Sequence, residues 1–166
     1  MRFTRKNNVK RVCVSLTTKA LLQLENLSRH MGLDMSNTLS AIMQEFIDDP
    51  EVRNKFQAFK IDIQRGGFWH EPGGRKAVNY MIPVDVLEHP LAREEAEATN
   101  FSRFVRVLIH FNHFRKVVED YVDFEGEFIR KIRDAGLEVV SYSHFDHVLI
   151  IRIDTGHLTY ISIPVA

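Results

Sequence analysis

The feature that most constrains this chain is a short alternating segment left without a neighbouring strand. Lys10-Arg11-Val12-Cys13-Val14-Ser15-Leu16 alternates strictly, with Val12, Val14 and Leu16 on one side and Arg11, Cys13 and Ser15 on the other. That is the period of a strand covered on one face. The next stretch reads as helix. Thr17 and Thr18 are N-cap candidates, and Leu21, Leu24, Leu27, Ser28 and Met31 are spaced for one inward face. Gly32 stands where a left-handed terminus is wanted. Asp34 can cap a second helix, whose apolar stripe is Leu39, Ile42, Met43, Phe46 and Ile47, with Pro50 past its end. One strand cannot stand alone. Helices can cover its apolar face, but its backbone needs a partner strand, from another chain or from elsewhere in this one.

The pattern then returns. Val78, Tyr80 and Ile82 alternate with Ala77, Asn79 and Met81, and Asn100-Phe101-Ser102 precedes Val105, Leu108 and Ile109 as Asp34-Met35-Ser36 precedes Leu39, Ile42 and Met43. Leu16 and Ile82 are 66 positions apart, and so are Ser36 and Ser102. A constant offset of this kind marks an internal repeat. Pro90 falls where Leu24 falls in the first copy. A proline inside a helix costs about 3 kcal/mol but is comfortable at the first helical position, so the second copy's first helix should start near His89.

Between the copies, a short helix is expected over residues 50–59, then turn chemistry at Gly66-Gly67 and Pro72-Gly73-Gly74. Phe68-Trp69-His70 reads as a packing anchor or a partner contact. Beyond about Arg115, Val117, Tyr121, Phe124, Phe128 and Ile132 suggest an amphipathic helix ending at Gly136. Strand-like runs follow at 137–143, 148–153 and 158–165, with hairpin turns at 144–147 and 154–157. The expected organisation is a basic arm (1–9), a first unit (10–49), a connector (50–75), a second, degenerate unit (76–114) and a C-terminal α+β module (115–166).

Composition sets bounds. An apolar content of 45% and a charged content of 27% are ordinary for a globular chain, and 166 residues suffice for one good core or two small ones. No apolar run approaches the roughly 20 residues that span a bilayer, and no apolar core follows the basic start. The chain therefore reads as neither secreted nor membrane-embedded. A single cysteine, Cys13, excludes an internal disulfide and fits a reducing compartment. Net charge is formally zero, which by itself argues against a polyanionic partner. Its distribution points the other way: Arg2, Arg5, Lys6, Lys10, Arg11 and Lys19 crowd the first 20 residues with no acid among them. Such an end marks a face for a polyanion or a solvated tail.

Arg11-Val12-Cys13-Val14-Ser15-Leu16-Thr17, then Leu21, Leu24, Met31-Gly32-Leu33, and Ser36 with Leu39 and Ile42, resemble the ribbon-helix-helix repressors of the Arc, MetJ and CopG type. The resemblance covers residues 10–49, extends less closely over 76–114 and stops there. It implies an α+β fold: a tandem ribbon-helix-helix pseudo-dimer, with an intramolecular two-stranded antiparallel ribbon and four helices, followed by a C-terminal helix and a three-stranded antiparallel meander. Whether the ribbon forms within one chain or between chains stays open on sequence.

The resemblance also implies a site. Outward ribbon residues read base edges in the major groove of double-stranded DNA: Arg11, Cys13 and Ser15 from the first strand, Ala77, Asn79 and Met81 from the second. Ser36 with Asn37, and Ser102 with Arg103, hold phosphates, helped by Arg5, Lys6 and Lys10. Physical chemistry supports this separately, since a two-stranded ribbon fits a groove about 12 Å wide and helix N-termini attract phosphate. Cys13, Ala77 and Met81 are poor hydrogen-bonders, so direct reading rests on Arg11, Ser15 and Asn79. Such contacts are worth roughly 1–3 kcal/mol each, leaving phosphate contacts and DNA shape to add the rest.

Plainer readings stand beside these. Arg11 on a strand face can simply be solvated, Cys13 can be a small strand residue, and Ser36 and Ser102 are at least helix caps. His110 and His113 lie at i, i+3, and His144, His147 and His157 flank turns. No carboxylate or cysteine stands at ligand spacing, and metal-sensing relatives of the fold use a different pattern. Neither metal nor cofactor is expected. Without a glycine-rich phosphate loop, a nucleophile elbow or paired carboxylates, no enzyme is expected either.

The expected function is sequence-specific transcriptional repression in a prokaryotic cytoplasm, associated with nucleoid or plasmid. One alternative is an accessory DNA-binding protein of a plasmid relaxosome or partition complex. Another is an antitoxin-like interaction protein. The C-terminal module leaves room for a homo-oligomer or a protein partner.

Overall fold

A computed structural model describes the backbone of residues 8–65, 74–120, 130, 133–136, 138–145, 148–154 and 158–164. The chain divides into two compact units, one of Met1–Phe56 with Glu71–His113, the other of Gln57–His70 with Phe114–Ala166.

In the first unit, β1 (Val9–Thr17) and β2 (Arg75–Pro83) pair antiparallel within the chain, Val9 opposite Pro83 through to Thr17 opposite Arg75. Alternation sorts the side chains. Val14, Leu16, Tyr80 and Ile82 are buried, while Arg11, Cys13, Ala77, Asn79 and Met81 are exposed. Val12 and Val78 are half-buried.

The helices behind β1 form for reasons of local chemistry. The Thr17 hydroxyl accepts from the Ala20 N–H at 3.1 Å and starts α1 (Thr18–Met31). Gly32 ends it at φ 68, where a side chain would be strained, and Leu33 N–H returns to the Ser28 carbonyl at 3.0 Å. The buried face of α1 is Ala20, Leu24, Leu27 and Ser28. This corrects the expected face: Leu21 lies at the edge of that stripe and is half-buried, and Met31, in the last turn, is 39% exposed. In α2 (Met35–Asp48), Leu39, Ile42, Met43, Phe46 and Ile47 are all buried.

Pro50 begins a helix as well as ending one. The Asp49 carboxylate accepts from the Glu51 N–H at 2.9 Å and the Val52 N–H at 3.4 Å, which starts α3 (Pro50–Arg65). The helix runs past residue 59, and Val52, Phe56 and Phe59 are buried on it. Phe68-Trp69-His70, Gly66-Gly67 and Pro72-Gly73 lie outside the described residues.

After β2, Pro90 shapes the helical segment. One turn, α4 (Val84–Leu87), is succeeded by α5 (Pro90–Ala98), capped by His89, whose Nδ1 accepts from the Leu91 N–H at 3.2 Å. The next helix, α6 (Phe101–Asp120), has 20 residues against 14 for α2. No glycine or proline interrupts it, so residue 115 lies inside a helix rather than at the start of a new element. Phe46 of α2 meets Phe56 of α3 at 5.2 Å and Phe104 of α6 at 5.3 Å, and Phe56 meets Phe111 at 5.6 Å, all edge to face. Such pairs add about 0.5–1.5 kcal/mol beyond their burial.

In the second unit, Phe59 stacks on Phe114 at 5.3 Å. Strands β3 (Glu138–Phe145), β4 (Val148–Asp154) and β5 (Leu158–Pro164) pair antiparallel in that order, with a register irregularity between Val139 and Ser141. His144 and Phe145 pair with Leu149 and Val148, so they belong to the strand rather than to the expected turn. Residues 146–147 and 155–157 lie outside the described residues, as do 121–129, where most of the expected helix after Val117 would fall. Among the described residues no helix is long and apolar enough to cross a membrane.

Candidate nucleic-acid interface

The outward ribbon residues face one another across the strands as Arg11 with Met81, Cys13 with Asn79 and Ser15 with Ala77. The backbone around them explains their closeness. Ser15 N–H donates to Ser102 Oγ at 3.0 Å, Ser15 C=O accepts from Arg106 Nη1 at 2.7 Å, and Met81 N–H donates to Ser36 Oγ at 3.0 Å. Ser15 and Met81 thus turn these backbone groups away from the partner strand. The outward residues therefore form the non-hydrogen-bonded pairs of the ladder, with Cα atoms about 4.5 Å apart.

Two exposed edges are the weakness of any two-stranded sheet. Here the start of α6 contributes a partner to the β1 edge and the start of α2 to the β2 edge. The arrangement is crosswise: Ser36, which follows β1, holds β2, and Ser102, which follows β2, holds β1. Ser36 and Ser102 are consequently not caps. The α2 cap is Asp34, whose Oδ1 and Oδ2 accept from Asn37 N–H at 2.7 Å and Asn37 Nδ2 at 3.1 Å. At α6, Asn100 Oδ1 accepts from Arg103 N–H at 2.8 Å. Because α2 begins at Met35 and α6 at Phe101, each serine is the second helical residue and points sideways onto the ribbon.

Charge is sorted along the same surface. The two strands carry Lys10, Arg11, Arg75 and Lys76 and no acid, and these four cations are exposed. At α2 the first turn lies beside the Asp34 carboxylate, whereas α6 starts with neutral Asn100 and then Arg103, which is half-buried. Asn37 is exposed, and Ser36 and Ser102 are half-buried. Arg5 and Lys6 lie outside the described residues.

Sequence reasoning missed Arg106. A guanidinium only 2% exposed is costly unless hydrogen-bonded, and its bond to the Ser15 carbonyl ties α6 to β1. The available signal was a lone arginine inside the apolar run Phe104-Val105-Arg106-Val107-Leu108. His110, one turn on, is also buried and its Nδ1 meets Gln23 Oε1. The Tyr80 hydroxyl donates to Met35 Sδ at 3.8 Å, and its pKa is raised by burial and, second, by Glu25.

Cys13 is an exposed free thiol. Among the described residues no group of three or more His, Cys, Asp or Glu could hold a metal ion. The side chains of His144, His147 and His157 lie outside the described set. Searches against family models, curated proteins and solved structures return no match for this chain.

Proposed function

We propose that this chain is a tandem ribbon-helix-helix protein, its two copies forming a pseudo-dimer with a three-stranded meander appended, and that it binds double-stranded DNA as a transcriptional repressor. The observation that carries the reading is the outward face of the β1–β2 ribbon. It presents Arg11, Cys13, Ser15, Ala77, Asn79 and Met81 in opposed pairs, flanked by Lys10, Arg75 and Lys76, with no acid in either strand. A ribbon of this width enters the major groove. Arg11 then donates to guanine and Asn79 pairs with adenine, Ser15 supplies a third hydrogen bond, and Cys13, Ala77 and Met81 pack against base edges. Ser102 with Arg103, at the start of α6, is the stronger phosphate contact; Ser36 with Asn37 is the weaker, because the negatively charged Asp34 carboxylate at the start of α2 already accepts from the Asn37 N–H. Repression needs nothing further than occupancy of the DNA.

The test is binding of the full chain to the DNA upstream of its own gene and to mixed-sequence duplex, across a salt series. Arg11→Ala should reduce the preference between the two. Lys6→Ala should weaken both equally and lower the slope of log affinity against log salt by about one. Parent-like binding by both variants would refute the ribbon as the DNA-binding surface.

A further inference from the structure

We infer that the recognised duplex is non-palindromic, because symmetry-related outward positions of the ribbon carry unlike side chains; this rests on the DNA-binding reading above. Two-fold symmetric proteins select two-fold symmetric sites, because each half presents the same side chains. The ribbon backbone has that symmetry. Cys13 and Asn79 are 66 positions apart and lie directly opposite each other, so the axis exchanging the copies passes between them. The backbone-holding serines obey it: Ser36 and Ser102 are related by the same shift, as are the residues they hold, Ser15 and Met81. Lys10 and Lys76, near the strand starts, obey it too. The attraction of this lysine pair for phosphate is therefore balanced about the axis, whereas Arg75 has only Val9 at the mirrored position.

The base-facing residues break it at every position. The shift carries Arg11 onto Ala77, Cys13 onto Asn79 and Ser15 onto Met81. One end of the ribbon therefore offers a guanidinium beside a thioether, Arg11 with Met81. The other offers a hydroxyl beside a methyl, Ser15 with Ala77. Arg11 and Ser15 are four residues apart, about 14 Å along the strand, which spans about four base pairs. Within that core the chemistry specifies guanine at the Arg11 end and adenine near the centre at Asn79. At the position that mirrors Arg11, Ala77 offers only a methyl, which packs best against thymine; the cation at that end, Arg75, lies one outward position further from the axis.

The deciding experiment selects duplexes from a randomised pool with the full chain, Arg11→Ala and Ala77→Arg. Ala77 is exposed and faces Ser15, so the larger side chain has room. The native chain should enrich a non-palindromic core with guanine at one end. Arg11→Ala should lose that guanine, and Ala77→Arg should gain a guanine at the symmetry-related position on the other strand. Each should change discrimination by roughly tenfold. A palindromic native consensus, or an Ala77→Arg consensus identical to the native one, overturns the inference. Retained duplex binding with no enrichment overturns it while leaving DNA binding intact. Absence of any duplex binding removes the DNA-binding reading, and this inference with it.

Discussion

Replacing Asn79 by cysteine places a second thiol opposite the native one at the centre of the ribbon. Cys13 and Asn79 form a directly opposed pair, and the outward bonding of Ser15 and Met81 assigns that pair to the closely spaced class, about 4.5 Å between Cα atoms. Disulfides accept roughly 4.4–6.8 Å, so Asn79→Cys should cross-link within one chain. The bridge closes residues 13–79, a loop of 67 residues, for which chain entropy predicts a stabilisation of up to about 4 kcal/mol, less any strain. The assay is oxidation at low protein concentration, thiol titration, non-reducing electrophoresis, and urea unfolding with and without reductant. Both thiols should disappear in a monomeric species with a higher urea midpoint than its reduced form. Ala77→Cys and Met81→Cys lie diagonal to Cys13, about 7–8 Å away, and should cross-link poorly. Thiols that persist in Asn79→Cys, a cross-link between chains, or faster bridging from a diagonal position would refute the intramolecular register.

The packing leads to three further expected outcomes. Ser102→Ala removes the acceptor of the part-buried Ser15 N–H and should cost about 1 kcal/mol in denaturant unfolding. Phe46→Ala deletes a ring that touches Phe56 and Phe104 and should cost about 3–5 kcal/mol by the same measurement. Tyr80 has a raised pKa, so above its ordinary value of about 10 the native state keeps a proton that the unfolded chain has lost. Stability from this group must then fall as pH rises, and Tyr80→Phe should flatten the stability–pH curve above pH 10 relative to the parent.

Much of the ribbon is legible in the sequence because its signals are local. The period of two at Val12, Val14 and Leu16, the Thr17 cap and the left-handed Gly32 each depend on a few neighbouring residues. The pairing of β1 with β2 is not legible, since alternation demands a partner strand without choosing it. The helix start at Pro50 is legible, but its length is not: the sequence suggests an end at residue 59, and α3 runs to Arg65. The continuation of α6 past Arg115 is obscured because a change of residue character there mimics a change of element. Ser36 and Ser102 look like caps because a serine beside a helix start usually is one. Their partners are 45 and 87 residues away, respectively, a distance no local pattern reports. Burial of Arg106 runs against the usual exposure of arginine and requires the tertiary position of the Ser15 carbonyl to explain it.

Mapping of backbone amide shifts in the isotopically labelled full chain, titrated with duplex DNA, tests the central claim most directly. The largest changes should fall at Arg11, Cys13, Ser15, Ala77, Asn79 and Met81, and in the first turns of α2 and α6. Changes confined to the exposed surface of α1 or to β3–β5, with the ribbon silent, would contradict it.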